Sequence, residues 1–335
     1  MNTPRLIRPA DLLRVGNDPR QLAKLSNNGA LARVRRGVYV KAAEWQALAP
    51  RAQYGLRAAA FAQLAPARPV FCHASAALLW GLWVVGTPKN LHVITNVTTG
   101  GRSRNGVTRH IGSLTEGLVG CGPFLLTDKL TTTVQLINTL PFPYAVAICD
   151  SSLRNPKRTA GGNRFDAVGL EATPFEEPVW NNVSPQGPAL TVGDLVAAAE
   201  ALPTRAARAR ALTVINFSSP LSGSAGESLS RSQLHVLGFP APQLQRPFVL
   251  RDGSFAFVDF YFREQKTVGE FDGRDKYLRA DWAGGVDTQQ RVLAEKDRED
   301  QIRAQGVGFV RWTWQEMMNR NRFEQLLRQA GLPQK

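Results

Sequence analysis

One carboxylate inside an otherwise apolar run constrains this chain most. Residues 255–262 read Phe-Ala-Phe-Val-Asp-Phe-Tyr-Phe, a strand pattern broken only by Asp259. A lone carboxylate there is either a solvent-facing edge residue or part of a site that needs its charge. Just downstream, Thr267-Val268-Gly269-Glu270-Phe271-Asp272-Gly273 reads as another strand. Side chains alternate along a strand, so Glu270 and Asp272 share a face. With Glu264-Gln265 as the central turn residues, Asp259 falls opposite Glu270, their Cβ atoms about 5 Å apart. Like charges so placed repel. Either one carboxylate is protonated or a cation bridges the two, and oxygen ligands at this spacing suit Mg²⁺ or Mn²⁺. Glu227, in Ser224-Ala225-Gly226-Glu227-Ser228, offers a further carboxylate from the preceding helix. Near a helix start, Glu is also an ordinary dipole-stabilising residue.

Around these residues the pattern reads helix, strands, helix, strand, helix. The helices are 225–237, 291–305 and 315–330. The strands are 248–250, 255–262, 266–271 and 307–314, and Gly306 sits where a helix end needs a positive φ.

The ordered series Gly-Glu-Ser-x-x-Arg (226–231), Leu-Gly-Phe-Pro-x-Pro (237–242), Gln245, Val-Asp-Phe (258–260), Glu-x-Asp-Gly (270–273), a basic Asp-Arg-x-Asp helix (297–300) and Gly-x-x-x-Val-Arg-Trp-Thr (306–313) resembles a known group. It is similar to the very-short-patch-repair-like endonucleases of the PD-(D/E)xK superfamily. The resemblance covers about 110 residues, from Ser219 to Arg328. It implies a restriction-endonuclease-like fold in which Asp259 and Glu270 hold a divalent metal, Mg²⁺ or Mn²⁺, with Glu227 assisting. The metal would lower the pKa of a bound water and stabilise the leaving phosphate oxygen. The superfamily Lys two residues after the Glu is here Asp272. Lys276 takes its role in this reading, with Lys296 and Arg298 as rivals. The run Glu295-Lys296-Asp297-Arg298-Glu299-Asp300 otherwise reads as a solvated charged face.

Length points to more than one core. The boundaries expected are 1–57, 58–155, a linker with helices over 156–217, and 218–335. Residues 1–57 set Arg5, Arg8, Arg14, Arg20, Lys24, Arg33, Arg35, Arg36, Lys41, Arg51 and Arg57 against only Asp11, Asp18 and Glu44. Asp18-Pro19 starts a helix whose Leu22 and Leu25 share a face, and Asn27-Asn28-Gly29 ends it. Residues 33–39 then read as a short β-ribbon, completing a winged-helix pattern. Further on come helices at 56–64, 73–82, 131–140 and 144–153, strands at 91–95 and 107–111, and helices at 192–202 and 205–216. The fold class expected is thus α/β, in an α+β multi-domain arrangement.

Leu31 to Tyr39, His73 to Leu82 and Leu91 to Thr95 resemble the AbiEi-like antitoxins of type IV abortive-infection systems, over about 150 residues. That resemblance implies DNA binding through Arg20, Gln21 and Lys24, with Arg33, Arg35 and Arg36 touching phosphates from the wing. It also brings a cognate toxin or other defence-system protein into view as partner.

The whole-chain net charge of +14 favours an anionic partner, DNA first. Cys72, Cys121 and Cys149 form no CxxC or Cys/His cluster in sequence, which argues against structural zinc and fits a reducing cytoplasm. No apolar stretch approaches a membrane span, so no membrane partner is expected. His73, His92 and His110, far apart in sequence, read as structural residues, and Trp80, Trp83, Trp312 and Trp314 as core. Three functions follow. The first is a DNA-binding metal-dependent endonuclease in a phage-defence or toxin-antitoxin context. The others are an antitoxin-like transcriptional repressor with an inactive nuclease fold, and a DNA-binding adaptor for another enzyme.

Overall fold

The computed structural model describes residues 4–14, 18, 20–96, 103–121, 124–155, 185–272 and 288–334. The fold mixes α and β and divides into two compact units. Residues 1–138 and 155–208 form the first, residues 139–154 and 209–335 the second.

The first unit opens with α1 (Pro9–Leu13) and α2 (Arg20–Asn27). The Asp18 carboxylate accepts the Arg20 amide at 2.9 Å, the cap its position predicts; Pro19 lies outside the described residues. Leu22 is 2% exposed but Leu25 is 38% exposed, so only one of the two seals the helix. β1 (Leu31–Arg35) and β2 (Val38–Lys41) make the predicted antiparallel ribbon, with a bulge between Arg33 and Arg35 and a turn at Gly37, φ +76°. After α3 (Ala42–Gln46), α4 (Pro50–Leu64) begins six residues before the reading from sequence, with Pro50 in its first turn, and runs through the 57/58 boundary.

There follow β3 (Val70–Phe71), α5 (His73–Leu79), β4 (Leu91–Thr95), β5 (Ser103–Arg104), β6 (Val107–Ile111), β7 (Leu118–Cys121), β8 (Phe124–Thr127) and α6 (Lys129–Thr139). The sheet order is β5-β6-β4-β3-β8-β7, with β4–β6 and β3–β8 parallel and the other pairs antiparallel. β4 and β6 match the predicted strands. Most of 154–190, read as a linker, lies outside the described residues. Its end is stitched back by the Gln186 amide donating to Trp80 O at 3.0 Å.

In the second unit, α7 (Phe142–Ser152) precedes α8 (Val192–Glu200) of the first unit and α9 (Arg205–Phe217), which crosses the unit boundary in sequence. Then come α10 (Ala225–Val236), β9 (Gln243–Val249), β10 (Phe255–Phe262), β11 (Thr267–Asp272), α11 (Thr288–Arg303), β12 (Gly308–Thr313), α12 (Trp314–Met318) and α13 (Arg320–Gln329). β9, β10 and β11 form an antiparallel meander. β12 returns parallel to β11 by way of α11, giving the order β12-β11-β10-β9. Two glycines set the packing distances. A Cβ on Gly226 of α10 would lie 2.0 Å from the Phe271 ring, and one on Gly269 would lie 2.6 Å from Trp312. The single closing helix expected over 315–330 is two helices. Asn319, φ −100° and ψ 101°, leaves helical geometry, and its side chain caps α13 by accepting the Arg322 amide at 3.1 Å.

Candidate functional site

The β10–β11 hairpin has the predicted register: Phe262 pairs with Thr267 and Phe260 with Gly269, and the Lys266 amide closes the turn onto Arg263 O. One step further, Asp259 lies beside Glu270, and its carboxylate accepts the Phe271 amide at 3.0 Å. Gln245 is the β9 residue facing Asp259 by register, between the pairs Val258–Arg246 and Phe260–Leu244. Glu270 pairs in turn with Arg311 of β12. The row Gln245, Asp259, Glu270, Arg311 therefore crosses the whole sheet.

The pleat is broken along this row. Gln245 has φ +49°, unusual for a residue with a side chain. Val258 and Tyr261, an odd number of residues apart, share one apolar cluster. Arg246, Val258's partner, lies over the Tyr261 ring at 4.1 Å. Local distortion of this kind re-aims side chains. Glu227 joins from α10: Ser224 Oγ donates to its carboxylate at 2.9 Å, the Gly223 amide at 2.5 Å, and Gln245 Nε2 at 3.4 Å. Asp272, half-buried, ends β11, and Lys276 lies outside the described residues.

Repulsion at Glu270 is offset within the chain. Arg298 Nη2 reaches the Glu270 carboxylate at 2.8 Å and Arg311 Nη2 at 3.0 Å, while Arg298 also donates to Phe257 O. Burial pushes the Glu270 carboxyl above its usual range; Arg298 and Arg311 oppose the shift, and Asp259 and Glu295 add to it. The α11 charges expected to be solvated are partly engaged here, since Glu295 and Glu299 each contact Arg311 at 2.9 Å. Lys296 is exposed.

Reading the sequence missed what fixes α10. Asp150 of α7, fully buried, accepts the Ser219 amide at 2.7 Å, Ser222 Oγ at 3.1 Å, Ser228 Oγ at 2.7 Å and Arg231 Nη2 at 2.7 Å. The Gly-Glu-Ser-x-x-Arg series thus divides its work. Gly226 admits Phe271, Glu227 joins the row, and Ser228 and Arg231 latch the helix. Only the distant Asp150 reveals that division.

In the first unit, Arg20, Gln21 and Lys24 are exposed on α2, and Arg33 and Arg36 on the ribbon. Arg35 is half-buried over the Phe61 ring, and burial, then Arg109, lowers its pKa. A cavity of about 470 Å³ gathers Arg33, Arg35, Arg36, Arg57 and Lys89.

The three histidines meet in space, contrary to their sequence spacing. The His73 and His110 rings stack at 3.7 Å, and His92 Nδ1 lies 2.9 Å from His110 Nε2. Burial, then His110 and His92, pushes His73 down to about 3. Burial, then His110, pushes His92 to about 4, and burial lowers His110. Trp80 and Trp312 are core as expected, whereas Trp83 and Trp314 are half-buried.

Residues 1–40 match the family model described as transcriptional regulator, AbiEi antitoxin. The N-terminal region is antitoxin-like. The match ends before the carboxylate row, and no curated protein matches the chain. Among the described residues, no helix is long and apolar enough to cross a membrane.

Proposed function

We propose that this chain is a DNA-binding protein whose second unit carries a divalent-cation-dependent site for cleaving phosphodiesters. The observation that carries this reading is Asp259 set beside Glu270 on adjacent strands of one distorted row, with Glu227 of α10 tied to that row through Gln245. Three carboxylates make a hard donor set that fits Mg²⁺ or Mn²⁺. Asp259 and Glu270 would hold the ion, with Glu227 assisting. A bound cation supplies an acidified water and charge for the departing oxygen. The chain's own residues do the rest. Gln245 ties Glu227 to the row, the Phe271 amide orients Asp259, and Arg298 and Arg311 offer guanidinium charge to a phosphate at Glu270. Asp272 at the motif Lys position leaves Lys276, or Arg298 beside Glu270, as the cation of that motif. Arg20, Gln21 and Lys24 of α2, with Arg33, Arg35 and Arg36, recruit DNA through phosphate contacts.

A second reading is an antitoxin-like transcriptional repressor that binds without cutting, with a cognate toxin or another defence protein as partner. Two observations favour it: the family match of residues 1–40, and the two arginines that already neutralise Glu270. Cleavage of plasmid and single-stranded DNA with Mg²⁺, Mn²⁺ or EDTA separates the two. The nuclease reading expects metal-dependent cutting that Asp259→Ala and Glu270→Ala each abolish. Cutting retained in both variants would sink the assignment. Tight DNA binding with no cutting on any substrate favours the repressor.

A further inference from the structure

We infer that Cys72, His73 and His110 form a binding site for one transition-metal ion of the zinc class, in the first unit and separate from the carboxylate row. One ligand atom from each residue lies within 4.8 Å of the others. In a tetrahedral zinc site, bonds of about 2.0–2.3 Å hold such atoms roughly 3.3–3.8 Å apart. A contraction of about 1 Å, within reach of side-chain rotation, closes the set.

Regular elements deliver all three residues. Cys72 follows β3 and is bound through its amide to His92 O of β4 at 3.1 Å; His73 opens α5; and His110 pairs with Ile94 between β6 and β4. Two features need an explanation that packing alone does not give. His73 Nδ1 is buried and has no hydrogen-bond partner among the described residues. His73 also adopts φ +47°, a left-handed conformation that a residue with a side chain keeps only where its surroundings enforce it.

The neighbouring ring supplies the supporting contact that metal-ligating histidines use. With its proton on Nε2, His110 donates to His92 Nδ1 across 2.9 Å and keeps the lone pair of Nδ1 for the ion. The donor set decides the metal class. One sulfur and two imidazoles suit Zn²⁺ and Co²⁺ rather than Mg²⁺ or Mn²⁺. Binding releases the Cys72 thiol proton to solvent, and the fourth position takes water. The His73 and His110 rings turn out of their stack, because parallel rings cannot both aim in-plane lone pairs at one ion.

The test is titration of the full chain, stripped with a chelator, with Co²⁺ and then Zn²⁺. The inference expects a near-ultraviolet thiolate-to-cobalt band and intense visible bands, both bleached by one equivalent of Zn²⁺. Cys72→Ser removes the thiolate band. His110→Gln, a milder change at a half-buried strand position, weakens cobalt binding at least tenfold with the circular dichroism unchanged. Asp259→Ala leaves the thiolate-to-cobalt band as in wild type, because a carboxylate site has no sulfur to give one. Absence of the thiolate band in the wild type, or Cys72→Ser and His110→Gln both titrating like it, overturns the inference.

Discussion

Replacing Asp150 with Ala unlatches α10. The carboxylate is 0% exposed and accepts hydrogen bonds from the Ser219 amide, two serine hydroxyls and Arg231. Without it, the Arg231 guanidinium keeps its bond to Phe217 O and its place over the Phe217 ring but has lost its anion, in a side chain 9% exposed. Removing one partner of a buried ion pair costs about 3–5 kcal/mol. The stranded serine hydroxyls are able to turn to other acceptors, so they add less than about 1 kcal/mol each. For a unit of this size the loss lowers Tm by about 10 °C. Urea unfolding followed by tryptophan fluorescence measures it, and hydrogen exchange across residues 225–236 localises it. The double replacement Asp150→Leu with Arg231→Met recovers most of the loss, because an apolar pair needs no desolvated charge. A cost below about 1 kcal/mol for Asp150→Ala, with α10 exchange unchanged, refutes the latch.

Gly226→Ala drives a methyl group into the Phe271 ring, which packs on Trp314 at 5.1 Å, so it destabilises the second unit by about 1–3 kcal/mol in urea unfolding. Burial lowers the Lys129 pKa from 10.5 to about 8. A depressed base contributes stability that is fully present above the unfolded value and lost as pH falls through the folded one. Wild type therefore gains on Lys129→Met by on the order of 3 kcal/mol between about pH 8 and pH 10.5, read from paired denaturation curves. Arg33→Ala and Arg36→Ala each reduce the slope of log affinity against log salt by about one, and weaken all DNA sequences alike in fluorescence anisotropy.

Legibility in the sequence followed period and length. β4, β6 and β10 were legible because each runs for five or more residues and carries at least three β-branched or aromatic strand formers. β3 and β5, two residues each, are too short to alternate, and β9 begins in Gln243-Leu244-Gln245-Arg246, where three of the four residues are polar, as a sheet edge tolerates. The proximity of Asp259 and Glu270 followed from hairpin arithmetic alone. Their electrostatic environment did not, because Arg298 and Arg311 arrive from α11 and β12, 28 and 41 positions beyond Glu270. The histidine cluster was hidden for the same reason. Parallel pairing of β4 with β6 brings His92 and His110 together across a connection with no local signature.

The proposed function rests on a divalent cation held at the row of Glu227, Asp259 and Glu270. Mn²⁺ binding, followed by electron paramagnetic resonance on wild type, Asp259→Ala and Glu270→Gln, tests it without requiring turnover. The wild type is expected to bind one Mn²⁺ that Mg²⁺ displaces, and both variants to lose it while DNA affinity stays unchanged. Mn²⁺ bound equally well by all three proteins, or by none, contradicts it.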